Sequence, residues 1–210
     1  MITPYNDNAT NLIYNLLFCD NIELYKENTP PPYAYPFDVL FAEVSSVEDL
    51  KNVAADAEVE PRLKRLAYNR LLSKGSVAVV KELLAVIIEV GLEDGLDVLA
   101  SFKDGTARYI HQTGKILIWE TADATSMELT QDLFRISETI VERIGPWDKP
   151  RRPHPAKGTV RITFLVSDGL YFGEGPMNVL FADAMAGPAL TSGTQLLSYI
   201  TGKATASTMS

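Results

Sequence analysis

The chain has 210 residues, of which 46% are hydrophobic and 22% charged, and its formal net charge is −8. This composition is typical of a globular protein and excludes a disordered one, and the length suits one domain or two small ones. A single cysteine, Cys19, excludes an internal disulfide, and the acidic balance argues against nucleic acid as the main partner.

The sequence indicates a cytoplasmic protein without a membrane span. The N-terminus lacks the basic start and the unbroken apolar core of a signal peptide. The most apolar stretch, residues 76–92, is interrupted by Lys81, Glu82 and Glu89, which a membrane-spanning helix would not tolerate.

The first predicted element is a helix over residues 8–26, because apolar residues recur there at helical spacing. A segment rich in proline and tyrosine follows at 28–37 and breaks regular structure. Tyr33 and Tyr35 alternate along it, so it is either an arm that docks a partner or, as we favour, a strap across the protein's own core.

Three more helices are predicted before residue 92. One begins at Ser46, which can cap it, and a second begins at Pro61 and ends at Gly75. The second has an apolar face and an opposite basic face. A third runs from Ser76 to Val90 and is apolar nearly all round, which predicts burial on more than one side.

After Gly91 the hydrophobic period changes from helical to alternating. Three short segments split by glycine turns predict an antiparallel meander: residues 95–102, 106–111 and 115–120. The rest of the chain is predicted to form an amphipathic helix over 125–145 and two strands at 159–167 and 170–173. Two helices at 176–185 and 188–202 and a fraying tail at 204–210 follow.

This order predicts an α+β fold. An N-terminal helical portion, residues 1–92, would pack on an antiparallel sheet of about five strands with C-terminal helices, residues 93–203. The two portions are either separate or parts of one domain.

Arg108 and His111 in the hairpin have the chemistry of catalytic residues. Alternation along a strand places them on opposite faces, so a compact site that uses both is disfavoured. Neither His111 nor His154 has the spacing of a metal motif, and we predict neither a metal nor a cofactor.

The glycine-rich stretch 168–176 is the predicted ligand site. It follows a strand and precedes a helix, so free amides there could hold an anion. Gly173, Glu174 and Gly175 would contribute, together with Arg108 or Arg161.

A connector broken by prolines, residues 149–157, concentrates positive charge. It either grips an acidic partner or is, as we favour, a solvated loop. Trp147, just before it, favours a contact surface together with Arg151 and Arg152, because tryptophan and arginine are enriched at interaction hot spots.

Two segments resemble bacterial proteins of uncharacterised function: "GLDVLASFKDGTARYIHQTGKILIWE" and "FLVSDGLYFGEGPMNVLFADAMAGP". The resemblance covers the second half of the chain, implies a soluble bacterial protein and transfers no activity. The residues themselves favour a non-catalytic interaction or adaptor protein that binds a protein partner or itself. The alternative is a protein or enzyme that binds an anionic small molecule at residues 168–176.

Overall fold

A computed structural model describes residues 1–76, 80–93 and 95–208, with the backbone alone at 206–208. These residues form eight helices: α1 (Asn8–Leu16), α2 (Ile22–Glu27), α3 (Phe37–Phe41), α4 (Val47–Ala55), α5 (Pro61–Ser73), α6 (Ala124–Val141), α7 (Met177–Ala182) and α8 (Ala186–Thr208). They also form six strands: β1 (Leu83–Gly91), β2 (Leu96–Phe102), β3 (Ala107–Ile110), β4 (Ile116–Trp119), β5 (Thr159–Val166) and β6 (Gly169–Pro176).

The strands make one antiparallel sheet in the order β4-β3-β2-β1-β5-β6. The predicted α+β class is confirmed, and the sheet has six strands rather than about five. The meander β2-β3-β4 and the hairpin β5-β6 are both present as predicted.

Helices cover both faces of this sheet. Alternate residues of β1 and of its neighbour β2 enter two separate cores: Ile87 and Ala100 pack under the N-terminal helices, while Ile88 and Leu99 pack under α6 and α8. The sheet is therefore apolar on both sides along its central strands, and the N-terminal helical portion packs on it as predicted.

The predicted third helix, from Ser76 to Val90, is wrong. Residues 83–91 form the central strand β1, and residues 77–79 lie outside the described part of the chain. A strand that is buried on both faces shows no alternation of apolar and polar residues, so its period does not distinguish it from a buried helix. This strand lies in the middle of the sheet although the predicted division assigned it to the helical portion.

The predicted helix over 8–26 is two helices, α1 and α2. The chain turns at Cys19, whose φ of 52° is in the left-handed region, where a helix cannot continue. The Asn69 side chain of α5 donates a hydrogen bond to the Cys19 carbonyl oxygen (2.6 Å) and so holds this turn against the helical layer.

The segment from residue 204, which was predicted to be a fraying tail, begins as a helix. Helix α8 continues through Thr208, and residues 209 and 210 lie outside the described part. The small residues there are compatible with a helix, which a composition argument alone misses.

Candidate functional site

Arg108 lies in the sheet, where its guanidinium is already engaged. It is 7% exposed, and its Nη2 donates to Glu120 Oε1 at 2.5 Å. His111 is outside the strand, and its Nδ1 lies 2.9 Å from the Thr113 hydroxyl. Arg108 thus forms an ion pair, and His111 belongs to a turn. The structure does not bring the two residues together.

Arg161 belongs to a buried polar network that crosses three strands. Glu89, Arg161 and Glu174 lie side by side on β1, β5 and β6. Arg161 Nη1 is 3.5 Å from Glu89 Oε2, and its Nε donates to Glu174 Oε2 at 2.6 Å. The Tyr14 hydroxyl donates to Glu89 Oε1 at 2.7 Å, so the network ties α1 to the sheet.

The glycine-rich stretch is not the predicted loop but strand β6, paired along its length with β5. Gly173 and Gly175 lie in this edge strand. The following helix, α7, has only six residues, and the amide of its first residue, Met177, donates to the Gly158 carbonyl oxygen at 2.9 Å. The Met177 amide is therefore used in the fold.

The cations of the connector clamp it to the body of the protein. Arg151 Nε donates to Asp20 Oδ2 at 2.7 Å, Arg152 Nη1 is 3.5 Å from Glu174 Oε1, and Lys157 pairs with Glu93. These three ion pairs hold the connector against the body of the protein.

Trp147 fixes the start of the same connector. Its backbone amide donates to the Leu170 carbonyl oxygen at 2.7 Å, and its ring meets Phe172 edge to face at 5.1 Å. Lys149 Nζ lies 5.5 Å from the centre of the indole ring. The half-buried Trp147 is thus held in place beside the edge of β6.

The strap places its two tyrosines differently. The Tyr33 ring packs edge to face on Phe41 at 5.0 Å and joins the core under the N-terminal helices. Tyr35 is 50% exposed, and its hydroxyl donates to Asp56 Oδ2 at 2.8 Å. Neither residue lies with Trp147, so the predicted interaction surfaces are two separate places.

Trp147 and Arg151 line a cleft of about 710 Å³. One wall is the helical layer, from α1, α2 and α5, and the other is the connector together with the start of β6. A cleft of this volume is within the usual range of small-molecule sites, roughly 300–1,000 Å³. We call it the Arg65 cleft, after the residue described next.

Arg65, on α5, is a candidate functional residue that the sequence reasoning missed. It is 6% exposed and lines the cleft. Its Nη1 donates to the Val166 carbonyl oxygen at 2.8 Å, but its Nε is buried without a partner, and no carboxylate of the described residues lies within ion-pair distance. Burial lowers the pKa of Arg65 to about 10, although Asp168 and Asp20 oppose the shift.

A second guanidinium of the cleft is also incompletely used. Arg151 stacks over the Phe18 ring at 3.8 Å and donates from Nη2 to Asn15 Oδ1 at 2.8 Å, while its Nη1 is buried without a partner. Buried charged groups in folded proteins are normally paired. Two arginines with unused donors beside one cleft are suited to bind an anionic group there.

The sequence contained one weak signal for Arg65. The helix α5 was predicted to have an apolar face and an opposite basic face. In the structure α5 buries Leu63, Arg65 and Leu66 together, because the sheet and the neighbouring helices enclose it from two sides. Burial of one basic position could not be read from the helical period.

Other kinds of site find little support. Within the described residues, no group of three or more His, Cys, Asp or Glu side chains is placed to hold a metal ion. In that same part of the chain, no helix is both long and apolar enough to cross a bilayer.

Comparison with known proteins gives no match to a family model, to a curated protein or to a solved structure. The fold and the cleft therefore define this protein at the level of an α+β protein with a candidate binding cleft between its helical layer and the edge of its sheet.

Proposed function

We propose that the protein is a non-catalytic binding protein that takes a small molecule with an anionic group in the Arg65 cleft. The observation that carries this proposal is Arg65 itself, a nearly buried cation without an ion-pair partner that lines a cleft of about 710 Å³. An unpaired buried charge destabilises a fold, and an anionic ligand in the cleft would compensate it.

The proposal retains anion binding, which the sequence analysis placed at residues 168–176, and moves the site. Asp168, Gly169 and Leu170 line the cleft, whereas Gly173, Glu174 and Gly175 lie further along β6. The cations are supplied by Arg65 and Arg151 instead of Arg108 and Arg161.

The test is Arg65→Met, which keeps the aliphatic part of the side chain and removes its charge. We expect the free protein to gain about 1 kcal/mol or more in its free energy of unfolding, because an unpaired buried charge is removed. The variant should also lose the rise in Tm that millimolar 3-phenylpropionate gives the wild-type protein, measured by differential scanning calorimetry.

Arg70→Met is the matched control on the same helix. Arg70 Nη1 donates to the Leu40 carbonyl oxygen at 2.5 Å and to that of Val39 at 3.2 Å, so Arg70 serves the fold. We expect this control to lose stability and to keep the response to the anion. If Arg65→Met behaves in the same way, Arg65 is a structural residue and the proposal is wrong.

An exposed apolar surface supports a second candidate, a protein-interaction function. On and just after α7, Val179 is 55% exposed, Phe181 42% and Met185 36%. Clustered exposed apolar side chains mark interaction sites. The simplest partner is a second copy of the chain, so sedimentation velocity should show a dimer. Phe181→Ser should weaken the affinity of dimerisation at least ten-fold. A monomer at every concentration tested would contradict this candidate.

A further inference from the structure

The charged side chains that line the Arg65 cleft are balanced in sign. Three of these side chains are cations and three are carboxylates: Arg65, Lys149 and Arg151, and Asp20, Asp148 and Asp168. A phosphate or a dicarboxylate would meet the aspartates as well as the arginines, and like charges repel at short range. A ligand that carries one charge of each sign matches this lining better than an anion alone.

Asp168 has an unused acceptor, as Arg65 has unused donors. Its Oδ2 accepts a hydrogen bond from the Tyr171 hydroxyl at 2.9 Å and lies 3.9 Å from Lys81 Nζ. Its Oδ1 is buried without a partner. Asp168 and Arg65 line the same cleft and form no ion pair with each other.

The remaining lining is largely apolar. Leu24 and Leu72 come from the helical layer, and Trp147 and Leu170 from the other wall. An apolar lining with a few polar groups is the usual composition of a small-molecule site, in which the polar groups fix the ligand's orientation.

From this arrangement, and resting on the proposed function of the cleft, we propose that the ligand is a free α-amino acid with an apolar side chain. Its carboxylate binds Arg65 and its ammonium group binds Asp168. An α-amino acid carries both charged groups on one carbon atom, so a single small ligand meets a cation and a carboxylate that line the same cleft. Its side chain packs between Trp147 and the leucines.

The test is isothermal titration of the full chain at pH 7 with four probes. L-Phenylalanine has both charges, 3-phenylpropionate lacks the ammonium group, 2-phenylethylamine lacks the carboxylate, and N-acetyl-L-phenylalanine resembles the C-terminus of a polypeptide. We expect phenylalanine to bind at least ten-fold more tightly than each of the other three, because the other three satisfy only one of the two charges.

Asp168→Asn tests the role of the carboxylate. We expect it to reduce the affinity for phenylalanine at least ten-fold, to that of 3-phenylpropionate, and to leave the affinity for 3-phenylpropionate unchanged. Asp132→Asn is the matched control, because Asp132 is on α6 on the other side of the sheet, 3.1 Å from Arg135. It should bind all four probes like the wild-type protein.

The outcomes separate the two proposals. Equal affinity for phenylalanine and 3-phenylpropionate would overturn the amino-acid inference and leave anion binding in place. N-Acetyl-phenylalanine that binds as tightly as phenylalanine would also overturn it and point to a polypeptide C-terminus. Failure of both phenylalanine and 3-phenylpropionate to bind the folded protein would overturn the proposed function as well.

Discussion

At the scale of single residues, Glu89 shows how a buried carboxyl is accommodated. It is fully buried, and burial raises its pKa above the ordinary value of 4.5, although Arg161 and the Tyr14 hydroxyl favour the charged form. The native protein therefore holds a proton on Glu89 at pH values where the unfolded chain has released it.

The sign of the pH dependence follows from this shift. Where the native state binds more protons than the unfolded state, the free energy of unfolding falls as pH rises, by at most about 1.4 kcal/mol per pH unit for one group. For Glu89 the fall begins near pH 4.5 and ends above the pKa in the folded state.

Glu89→Gln tests this linkage. Glutamine keeps an acceptor for the Tyr14 hydroxyl and does not titrate, so the variant should lack the Glu89 part of the fall. Urea denaturation from pH 4.5 to 8 should show the stability of the variant rising relative to the wild-type protein as pH increases. Parallel curves over this range would contradict a raised pKa.

Arg65 and Glu89 illustrate opposite solutions to charge burial. Glu89 has a cation and a hydroxyl within reach, whereas Arg65 has one backbone acceptor and unused donors beside a cleft. The first is an internal ion pair with a hydrogen bond from a hydroxyl, although Glu89 Oε2 itself accepts no hydrogen bond. The second is the kind of incomplete arrangement that a ligand completes.

At the scale of elements, the connector lies very close to the sheet at a glycine of β1. A Cβ atom on Gly91, at the end of β1, would lie 2.1 Å from the Ala156 carbonyl oxygen, so the backbone would have to move. Gly158 also donates its amide to the Gly91 carbonyl oxygen at 2.8 Å. The close contact between β1 and the end of the connector thus requires that Gly91 has no side chain.

Gly91→Ala should therefore destabilise the protein by about 1–3 kcal/mol, the usual range for added volume without space. Gly173→Ala is the matched control, because nothing lies within 4 Å of its Cβ position in the edge strand β6. It should be neutral or stabilising by up to about 1 kcal/mol, since alanine is favoured over glycine within a strand. Chemical denaturation measures the free energy of unfolding of both variants. Equal losses of stability would show that the close contact at Gly91 is not the cause of the destabilisation.

The elements also explain which predictions from the sequence succeeded. The meander β2-β3-β4 was correctly predicted, because glycine turns separate short strands that are rich in β-branched residues. β1 was taken for a helix, because both of its faces are buried and its apolar run has no period. Turn residues therefore located β2 and β5, although both strands are largely buried, whereas the hydrophobic period alone failed for β1.

At the scale of the whole molecule, the candidate site lies between layers. Arg65 comes from the helical layer, Arg151 from the connector and Asp168 from the turn between β5 and β6. These three residues are far apart in sequence, and the clamp between Arg151 and Asp20 brings two of the walls together. No short motif could have contained this combination.

The sequence by itself determined the α+β class, the meander, the hairpin and the surplus of acidic charge, because these depend on local period, turn residues and composition. Trp147 and Arg151 were correctly placed near each other, since they lie in one short segment. The tertiary structure alone decided that Arg108 and Arg161 are paired inside the protein and that Arg65 is buried beside a cleft. The reason is physical: whether a charge meets a partner or solvent depends on what other layers pack against it.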